Sequence, residues 1–444
     1  MFLPFGAPDG PPRSALLQLP GTCGNGARMI ARALQNTGWL MGARGVNAVL
    51  SLVYLALATR ALGVGGFGQF ILVVTFAQAL VGLVNFQTWQ TVVRWGQDEE
   101  MRADATGFAL ALDLVSIVAG IAIAALLLAL AGDWLPVARD LRGQAFAFTL
   151  ASLFAIRSTP TGILRLHDRF RRAASADAAT SIIRVIGAAI VVFAAPSIPA
   201  FLLVWGLAEL GTAAIYWWLA ARTQPVLLSH ASLSRLPSRE SEAWRFAIGT
   251  SLSGTLAISS RQVLVLLVGA LGGAALAGIY RVAAQLGEGL LKLGQALLRA
   301  TYPELVRSRQ AAGDIAKRIG RIAICTGLSA LLLALVAGQW VITLIAGANF
   351  LPAYVPMLLL TAAAALELAG ASLEALLLAR GHAMRNFALR AVPTLLVFAA
   401  LPWLIASLGA TGAALAVLAA SAVTLIGLFV ANRKVRVLPD NTQL

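Results

Sequence analysis

The feature that most constrains this chain is a series of about twelve apolar stretches, each long enough for a membrane helix, that follow one another with short gaps. A helix needs about 20 apolar residues to cross the hydrocarbon core of a bilayer. The chain is 59% hydrophobic and 12% charged, whereas soluble domains carry about 25% charged residues. The sequence therefore predicts a polytopic membrane protein.

The length of these stretches predicts helices rather than strands. Membrane β-barrels show alternating segments of about ten residues, whereas apolar runs above about 18 residues are typical of membrane helices. We therefore expect an all-α membrane protein. The predicted spans lie near residues 38–60, 67–88, 106–131, 142–164, 173–195, 198–220, 244–268, 274–296, 319–346, 354–378, 385–408 and 410–431.

Positive residues are distributed unevenly between the two sides of the predicted spans. With the amino terminus in the cytoplasm, cytoplasmic segments hold 24 of the 34 Lys and Arg residues, external segments hold three, and seven lie within spans. Cytoplasmic loops retain Lys and Arg, so this distribution favours twelve spans with both termini cytoplasmic. The net charge of +15 then follows mainly from topology, with attraction to anionic inner-leaflet lipid, and requires no nucleic acid partner.

A short internal similarity suggests two halves. Ala61-Leu62-Gly63 ends the first span and Ala270-Leu271-Gly272 ends the seventh. Six helices per half would make the halves parallel repeats, related by an axis along the membrane normal, with substrate sites between them near the midplane. The predicted divisions are a disordered cytoplasmic tail (1–35), an amino-terminal six-helix lobe (36–220), a cytoplasmic linker (221–243), a carboxy-terminal six-helix lobe (244–432) and a cytoplasmic tail (433–444).

Sequence motifs for nucleotide chemistry, hydrolysis and metal binding do not fit this chain. Gly63, Gly65 and Gly68 spell G-x-G-x-x-G, but a dinucleotide site needs a preceding strand, and this segment is a predicted external turn. No lysine follows a glycine, which excludes a P-loop. The histidines fall in loops without a second ligand at suitable spacing. We therefore expect no catalytic residue, no metal and no cofactor.

Charged residues within the predicted spans are the strongest indication of function. Each charge at the middle of a bilayer costs about 2.5–3.5 kcal/mol on insertion scales, so these residues should face a wet cavity or one another. Seven cations oppose five acids in the spans. They are Arg44, Arg157, Arg184, Arg261, Arg281, Lys292 and Arg390 against Asp113, Glu209, Glu288, Glu367 and Glu374.

The excess of cations predicts a cavity for an anionic passenger. The arginine fork binds phosphate oxygens two at a time. Predicted phosphate ligands are Arg44, Arg157, Arg184, Arg261, Arg281 and Lys292. Trp205 is predicted to stack on a sugar, and Gln78 and Asn85 to bind hydroxyl groups. The alternative interpretations are internal salt bridges such as Glu288–Lys292, polar helix packing, and side chains that extend to lipid headgroups, as Arg44 or Arg390 could.

The acids within the spans are predicted to couple or gate the movement of the passenger. A carboxylate that changes partners between two conformations can change its protonation, which links ion flow to conformational change. Span eight carries Glu288 on one helical face with Arg281, Gln285 and Lys292. The predicted coupling residues are Asp113, Glu209, Glu288, Glu367 and Glu374.

Several short motifs resemble a known family. They are the Arg60-Ala61-Leu62-Gly63 turn leading into Gly66-Phe67-Gly68, the Phe86-Gln87-Thr88-Trp89-Gln90 end of span two, and the Arg165-Leu166-His167-Asp168-Arg169-Phe170 loop. With the twelve-span architecture, they are similar to polysaccharide-biosynthesis flippases of the multidrug/oligosaccharidyl-lipid/polysaccharide exporter superfamily, the O-antigen or capsule repeat-unit translocases. The resemblance covers about residues 36–436. The two extra spans typical of lipid II flippases are absent from the prediction.

This resemblance implies a V-shaped, two-lobed transporter in the bacterial inner membrane, not an enzyme. It would move an undecaprenyl-pyrophosphate-linked oligosaccharide from the cytoplasmic to the periplasmic leaflet by alternating access, for surface polysaccharide or lipopolysaccharide synthesis. Coupling to an ion gradient or to the membrane potential is also implied. The implied partners are the lipid-linked oligosaccharide and membrane lipid, with a polysaccharide polymerase and chain-length proteins as further candidates.

Two alternatives remain open from the sequence. A cation-coupled multidrug antiporter of the same superfamily would share the fold, but its cavity is expected to be acidic or apolar. A membrane-embedded polysaccharide polymerase or ligase is expected to carry a sizeable periplasmic loop, whereas the longest predicted external loop here covers about residues 132–142.

Overall fold

The computed structural model of the chain describes residues 22–307, 312–379 and 383–437. The regular structure in these ranges is entirely helical, which confirms the all-α prediction. The helices are α1 (Thr22–Val84), α2 (Trp89–Trp95), α3 (Glu99–Leu130), α4 (Arg142–Phe154), α5 (Ser158–Leu166), α6 (Phe170–Ala194), α7 (Ile198–Ala221), α8 (Arg235–Arg239), α9 (Ala243–Arg307), α10 (Ala312–Ile345), α11 (Tyr354–Ala379) and α12 (Ala383–Val437). Short 3-10 helices cover Arg139–Leu141, Leu228–His230 and Ala348–Ala353.

Both predicted tails differ in extent from the helices at the chain ends. The first helix, α1, begins at Thr22, inside the segment predicted to be a disordered tail, and residues 1–21 lie outside the described ranges. At the other end, α12 continues to Val437, past the predicted boundary at residue 432. Apolar length alone therefore underestimated how far these two helices extend.

The first helix, α1, is a hairpin of two membrane-crossing arms. Gly63 has φ of 65° and interrupts the helical backbone, a conformation that glycine adopts without a side-chain clash. The ring centres of Tyr54 and Phe70, one on each arm, are 6.5 Å apart. A straight helix would separate these residues by about 24 Å, at 1.5 Å per residue. The chain therefore reverses direction at Gly63.

The helices α9 and α12 reverse in the same way. Gly273 has φ of 83°, and the reversal brings Nη1 of Arg261 to 3.1 Å from Oε1 of Glu288. In α12 the reversal occurs at Gly409, where φ is 58°, and it returns Thr424 to the first arm of the helix. The internal repeat paired Gly63 with Gly272, but the structure places the second reversal one residue later. Gly272 and Gly273 are adjacent, so the sequence could not show which of the two forms the reversal.

Two predicted spans of the amino-terminal lobe are broken rather than continuous. Span two runs from α1 into α2 through non-helical residues 85–88, and span four divides into α4 and α5 at residues 155–157. Asp113 of α3 joins the two breaks. One oxygen of its carboxylate accepts a hydrogen bond from Oγ1 of Thr88 at 2.8 Å, and the other accepts one from the backbone N–H of Thr159 at 3.0 Å. The carboxylate thus satisfies a free backbone donor in the first turn of α5 and holds the side chain of the residue that precedes α2.

The helices are compatible with twelve membrane crossings. Eight helical segments in the described ranges are long and apolar enough to cross a bilayer, by length and composition. Three of these eight segments contain the reversals, in α1, α9 and α12, and contribute two crossings each. The pair α4–α5 supplies the remaining crossing as one broken span. This architecture matches the predicted fold class.

The predicted linker, residues 221–243, packs against the amino-terminal lobe. It contains the 3-10 helix Leu228–His230 and α8. A Cβ atom at Gly107 of α3 would lie 2.1 Å from the carbonyl oxygen of His230, so only glycine permits this approach. Leu236 is fully buried in a cluster with Trp95 and Phe108. The linker is therefore a folded element and not a flexible connection.

The hairpins of α1 and α9 meet at very short range. A Cβ atom at Gly68 would lie 1.8 Å from the carbonyl oxygen of Ala274, and one at Gly278 would lie 3.0 Å from the carbonyl oxygen of Val64. Small residues permit such close approach between membrane helices. The two lobes are thus joined at the tips of these hairpins, which the topology prediction places on the external side.

The orientation predicts a specific result with reporter fusions. An enzyme that is active only in the periplasm should be inactive when fused after Val437, at the end of α12. It should be active when fused at Asn349, between α10 and α11, because 24 of the 34 Lys and Arg residues then lie on the cytoplasmic side. Reporter activity is divided by the amount of fusion protein. Activity after Val437 together with inactivity at Asn349 would reverse the orientation.

Candidate functional site

A cavity of about 250 Å³ lies between the two lobes. Residues of α1, α6 and α7 form one wall, and residues of the second arm of α9 form the other. Five residues predicted from the sequence line it, namely Gln78, Arg184, Trp205, Arg281 and Glu288. Parallel repeats predicted a site at this interface, and the cavity occupies that place.

The carboxy-terminal wall carries Arg281. Its Nε atom is buried and has no hydrogen-bond partner among the residues that the structure describes. A guanidinium has five N–H donors, and a buried donor without a partner loses the hydrogen bonds it made in water. Arg281 therefore offers unused hydrogen-bonding capacity at the cavity.

The amino-terminal wall carries Arg184, which is held by an acid. Glu209 of α7 accepts hydrogen bonds from two arginines, from Nη1 of Arg157 at 2.9 Å and from Nη2 of Arg184. The side chains of Arg157, Arg184 and Glu209 are 30%, 21% and 19% exposed. The Nε atom of Arg184 is buried without a partner in the described ranges. One carboxylate thus contacts two guanidinium groups.

The aromatic rings of this wall support Arg184. The guanidinium carbon of Arg184 lies 3.9 Å from the centre of the Trp205 ring, a cation–π contact. Tyr54 packs edge-on against Trp205 with ring centres 5.3 Å apart, and Trp205 is 8% exposed. The sugar contact predicted for Trp205 would therefore require Arg184 to move away from the ring.

A second group of charges joins α9 and α11. Nη1 of Arg261 lies 3.1 Å from Glu288, and its Nη2 lies 3.7 Å from Glu367. These side chains are 64%, 37% and 46% exposed, and Oγ of Ser421 donates a hydrogen bond to Glu367 at 3.4 Å. Charges this exposed on membrane-crossing helices must face water, because lipid would make them costly. The group therefore marks a wet surface next to the cavity.

Seven predicted site residues in the described ranges do not line the cavity, namely Asn85, Asp113, Arg157, Glu209, Arg261, Glu367 and Glu374. Three of them lie apart from the two charge groups already described. Glu374 contacts Arg390 at 2.8 Å and accepts a hydrogen bond from Asn386 at 3.0 Å, between α11 and α12. Asp113 joins the two helix breaks. The Oδ1 atom of Asn85 accepts a hydrogen bond from the backbone N–H two residues later, at 3.0 Å, and thereby shapes the break in span two. The observed contacts of these three residues are local.

Charge pairing reduces the cationic excess that the sequence suggested. Arginines of the spans that contact an acid in the described ranges are Arg157, Arg184, Arg261 and Arg390. The side chains of Arg44 and Lys292 lie outside the described part of the chain. The salt-bridge alternative thus accounts for part of the set. Within the described residues, positive charge at the cavity is concentrated on Arg184 and Arg281.

Among the cavity residues of α1 that the sequence did not predict, two carry hydroxyl groups, Ser51 and Tyr54. Oγ of Ser51 accepts a hydrogen bond from Nε2 of Gln285 at 3.1 Å, which joins the first arm of α1 to the second arm of α9. Ser51 and Tyr54 are three residues apart, which places them on one face of an otherwise apolar arm. That spacing was the available signal.

Comparison with known proteins agrees with this fold. The family described as "Polysaccharide biosynthesis protein" matches residues 33–309. The inner membrane protein YghQ of Escherichia coli (strain K12) is 28% identical over 345 residues, which cover 72% of this chain and 94% of that protein.

Two solved transporter structures share the architecture. An inward-facing multidrug resistance MATE family transporter of the MOP superfamily superposes with a TM-score of 0.65 at 17% identity, over 89% of this chain and 96% of that chain. The lipid II flippase MurJ in an inward closed conformation superposes with a TM-score of 0.67 at 13% identity, over 89% of this chain and 87% of that chain. These similarities confirm the predicted exporter fold. Because the family match covers more than half of the 444 residues, the chain belongs to the polysaccharide biosynthesis protein family.

Proposed function

We propose that this protein flips an undecaprenyl-pyrophosphate-linked oligosaccharide from the cytoplasmic to the periplasmic leaflet of the bacterial inner membrane, for O-antigen or similar surface polysaccharide. The observation that carries the proposal is the pair Arg184 and Arg281, which line one cavity from opposite lobes. Each has a buried Nε atom without a partner among the described residues. The family, and the flippase MurJ among the proteins of the same fold, support a lipid-linked passenger.

Pyrophosphate fits the chemistry of this cavity. Its oxygens accept several hydrogen bonds, and arginine forks bind phosphate oxygens in pairs with charge-assisted bonds. Such bonds strengthen where water is scarce, which offsets the cost of moving an anion into the membrane. Because the two arginines belong to different lobes, the anion can remain bound to one lobe while the other moves away. This arrangement suits alternating access.

The size of the cavity limits what it holds in this conformation. Its volume of about 250 Å³ lies below the roughly 300–1,000 Å³ of pockets that enclose drug-sized ligands. The pyrophosphate and the adjoining part of the passenger fit such a space, whereas an oligosaccharide of several sugars requires the lobes to separate further.

The coupling role is assigned to Glu288 and Glu367. Arg261 lies between their carboxylates, so movement of α9 relative to α11 changes which acid it neutralises. An acid that loses its arginine binds a proton more readily, and this would link a proton gradient to the movement of the lobes. Asp113 and Glu374 do not line the cavity. The coupling roles predicted for these two residues therefore have no structural support.

The proposal places both termini in the cytoplasm and assigns the protein a transport role rather than catalysis. Its partners are the lipid-linked oligosaccharide and the surrounding lipid, and a polysaccharide polymerase with its chain-length protein would receive the product. The family and the fold, which the solved transporters share, support transport.

Reconstitution tests the proposed function directly. The full-length protein is placed in liposomes that carry a fluorescent undecaprenyl-pyrophosphate oligosaccharide, and the label exposed outside is removed by an impermeant glycosidase. Vesicles with the protein should expose inner-leaflet label faster than empty vesicles. Transport of a lipophilic cationic dye without movement of the lipid-linked sugar would instead indicate the multidrug antiporter.

The same vesicles test the coupling residues. With a proton gradient, the variants Glu288→Gln and Glu367→Gln should lose the gradient-dependent part of flipping and retain slow exchange. Glutamine keeps the shape and hydrogen bonding of glutamate but does not titrate. An undiminished gradient response in both variants would show that these acids are structural.

A further inference from the structure

The arginine that the amino-terminal wall offers to the passenger already contacts an anion of the protein itself. Glu209 bonds Arg184, and Arg184 lines the cavity. Glu209 itself does not line the cavity and reaches Arg184 from behind, from α7. A phosphate that approaches Arg184 from the cavity must therefore compete with this carboxylate for the same positive charge.

The second arginine determines whether this competition can succeed. A buried carboxylate that loses its only partner is strongly destabilised, so a simple Arg184–Glu209 pair would resist the passenger. Glu209 also accepts a hydrogen bond from Arg157 at 2.9 Å. Arg157 lies at the break in span four, does not line the cavity, and places its guanidinium carbon 5.7 Å from the ring centre of Tyr216. It can neutralise Glu209 after Arg184 has turned to the passenger.

We propose that Glu209 is a built-in substitute for the passenger's anion, an inference that rests on the proposed function. Glu209 neutralises Arg184 while no passenger is bound. When the passenger arrives, its pyrophosphate displaces Glu209 from Arg184, and Arg157 then holds Glu209 in place. Glu209 and Arg157 are thus positioning residues that set the affinity of Arg184 for the passenger. The substitute keeps Arg184 from remaining a bare buried charge when the passenger leaves, which favours release.

Two variants should change affinity in opposite directions. Inorganic pyrophosphate is titrated into the full-length protein in lipid nanodiscs, and binding is measured by calorimetry. The Glu209→Gln variant should bind roughly tenfold tighter than the unaltered protein, since coupling of this kind typically changes affinity about 5- to 150-fold. The Arg157→Gln variant should bind roughly tenfold weaker, because Arg184 is then the one arginine in contact with Glu209 among the described residues. A purely structural network would weaken binding in both variants.

A matched control is available outside the membrane. Asp133 also lies between two arginines, 2.7 Å from Arg142 and 3.2 Å from Arg139, and the hydrogen bond from Arg142 holds the pKa of that carboxyl below its usual range. Its ionised carboxylate resembles that of Glu209, but it lies in an exposed loop. The Asp133→Asn variant should bind pyrophosphate as the unaltered protein does.

The outcomes separate this inference from the proposed function. If the unaltered protein binds pyrophosphate but Glu209→Gln binds it equally or more weakly, the substitute role is wrong and the proposed function stands. If no protein binds pyrophosphate, the proposed function itself fails. If the Glu209→Gln variant does not fold, the Glu209→Asp variant, whose side chain is shorter by one methylene, is tested instead. It should also bind pyrophosphate more tightly than the unaltered protein. Equal or weaker binding would overturn the inference. In the flipping assay, the tighter variant should release its passenger more slowly.

Discussion

Replacement of Arg281 by alanine should abolish the display of surface polysaccharide while leaving the amount of protein in the membrane unchanged. Arg281 lines the cavity, and its Nε atom has no partner in the described part of the chain, so this N–H is available to the passenger. Removal of one partner from a buried charge pair costs about 2–5 kcal/mol, which lowers affinity roughly thirtyfold or more. Lysine should restore display only in part, because it lacks the bidentate fork.

The measurement is polysaccharide on the cell surface in a strain whose flipping depends on this protein. Arg184→Ala should give the same loss. Arg139→Ala is the control, because Arg139 is 80% exposed and pairs with Asp133 outside the membrane, so display should be normal. Full display by both cavity variants would contradict the phosphate site.

Replacement of Gly68 by alanine should block transport by preventing closure of the hairpin contact. The added Cβ would lie 1.8 Å from the carbonyl oxygen of Ala274, and backbone cannot yield as a flexible side chain does. Overpacking typically costs about 1–3 kcal/mol, and contact with backbone should put this variant at the upper end. We expect at least tenfold slower flipping in liposomes and a lower unfolding temperature. Gly278→Ala should have a smaller effect, because its Cβ would lie 3.0 Å from the carbonyl oxygen of Val64.

Gly65 provides the control for this prediction. It lies on the same turn, and a Cβ atom added there meets nothing within 4 Å. Gly65→Ala should therefore flip the passenger at the normal rate. Equal loss of activity in Gly65→Ala and Gly68→Ala would show that helix propensity or flexibility matters here, and not the close approach of α1 and α9.

The sequence predicted the all-helical fold, with a number of spans that is compatible with the structure, because apolar length is a local property. It did not reveal how the breaks at residues 85–88 and 155–157 are stabilised. The carboxylate of Asp113 accepts hydrogen bonds from the side chain of Thr88 and from the backbone N–H of Thr159, both distant from it in sequence. Hydropathy does not register such a contact. The available signal was a polar residue in the middle of a span, Asp113, for which the sequence instead suggested a coupling role.

The candidate site shows the same limit. Counting charges indicated a polar interior, and five predicted residues line one cavity. The count could not show that Glu209 holds both Arg157 and Arg184, since these residues lie on three different helices. A cationic side chain in a span can bind a ligand only if some of its N–H donors are not already bonded to neighbouring residues. That property depends on tertiary packing, which a single sequence does not display.

The carboxylate of Asp113 is a common attachment point for two half-helices of the amino-terminal lobe, α2 and α5. Beyond the breaks, α2 and α5 lie in direct contact, because a Cβ atom at Gly162 would come within 2.9 Å of the Cα atom of Trp89. The two half-helices are therefore too closely packed to tilt independently, and both begin at the same carboxylate. When α2 or α5 tilts, the other helix must turn with it about Asp113. These two half-helices therefore move as one rigid unit.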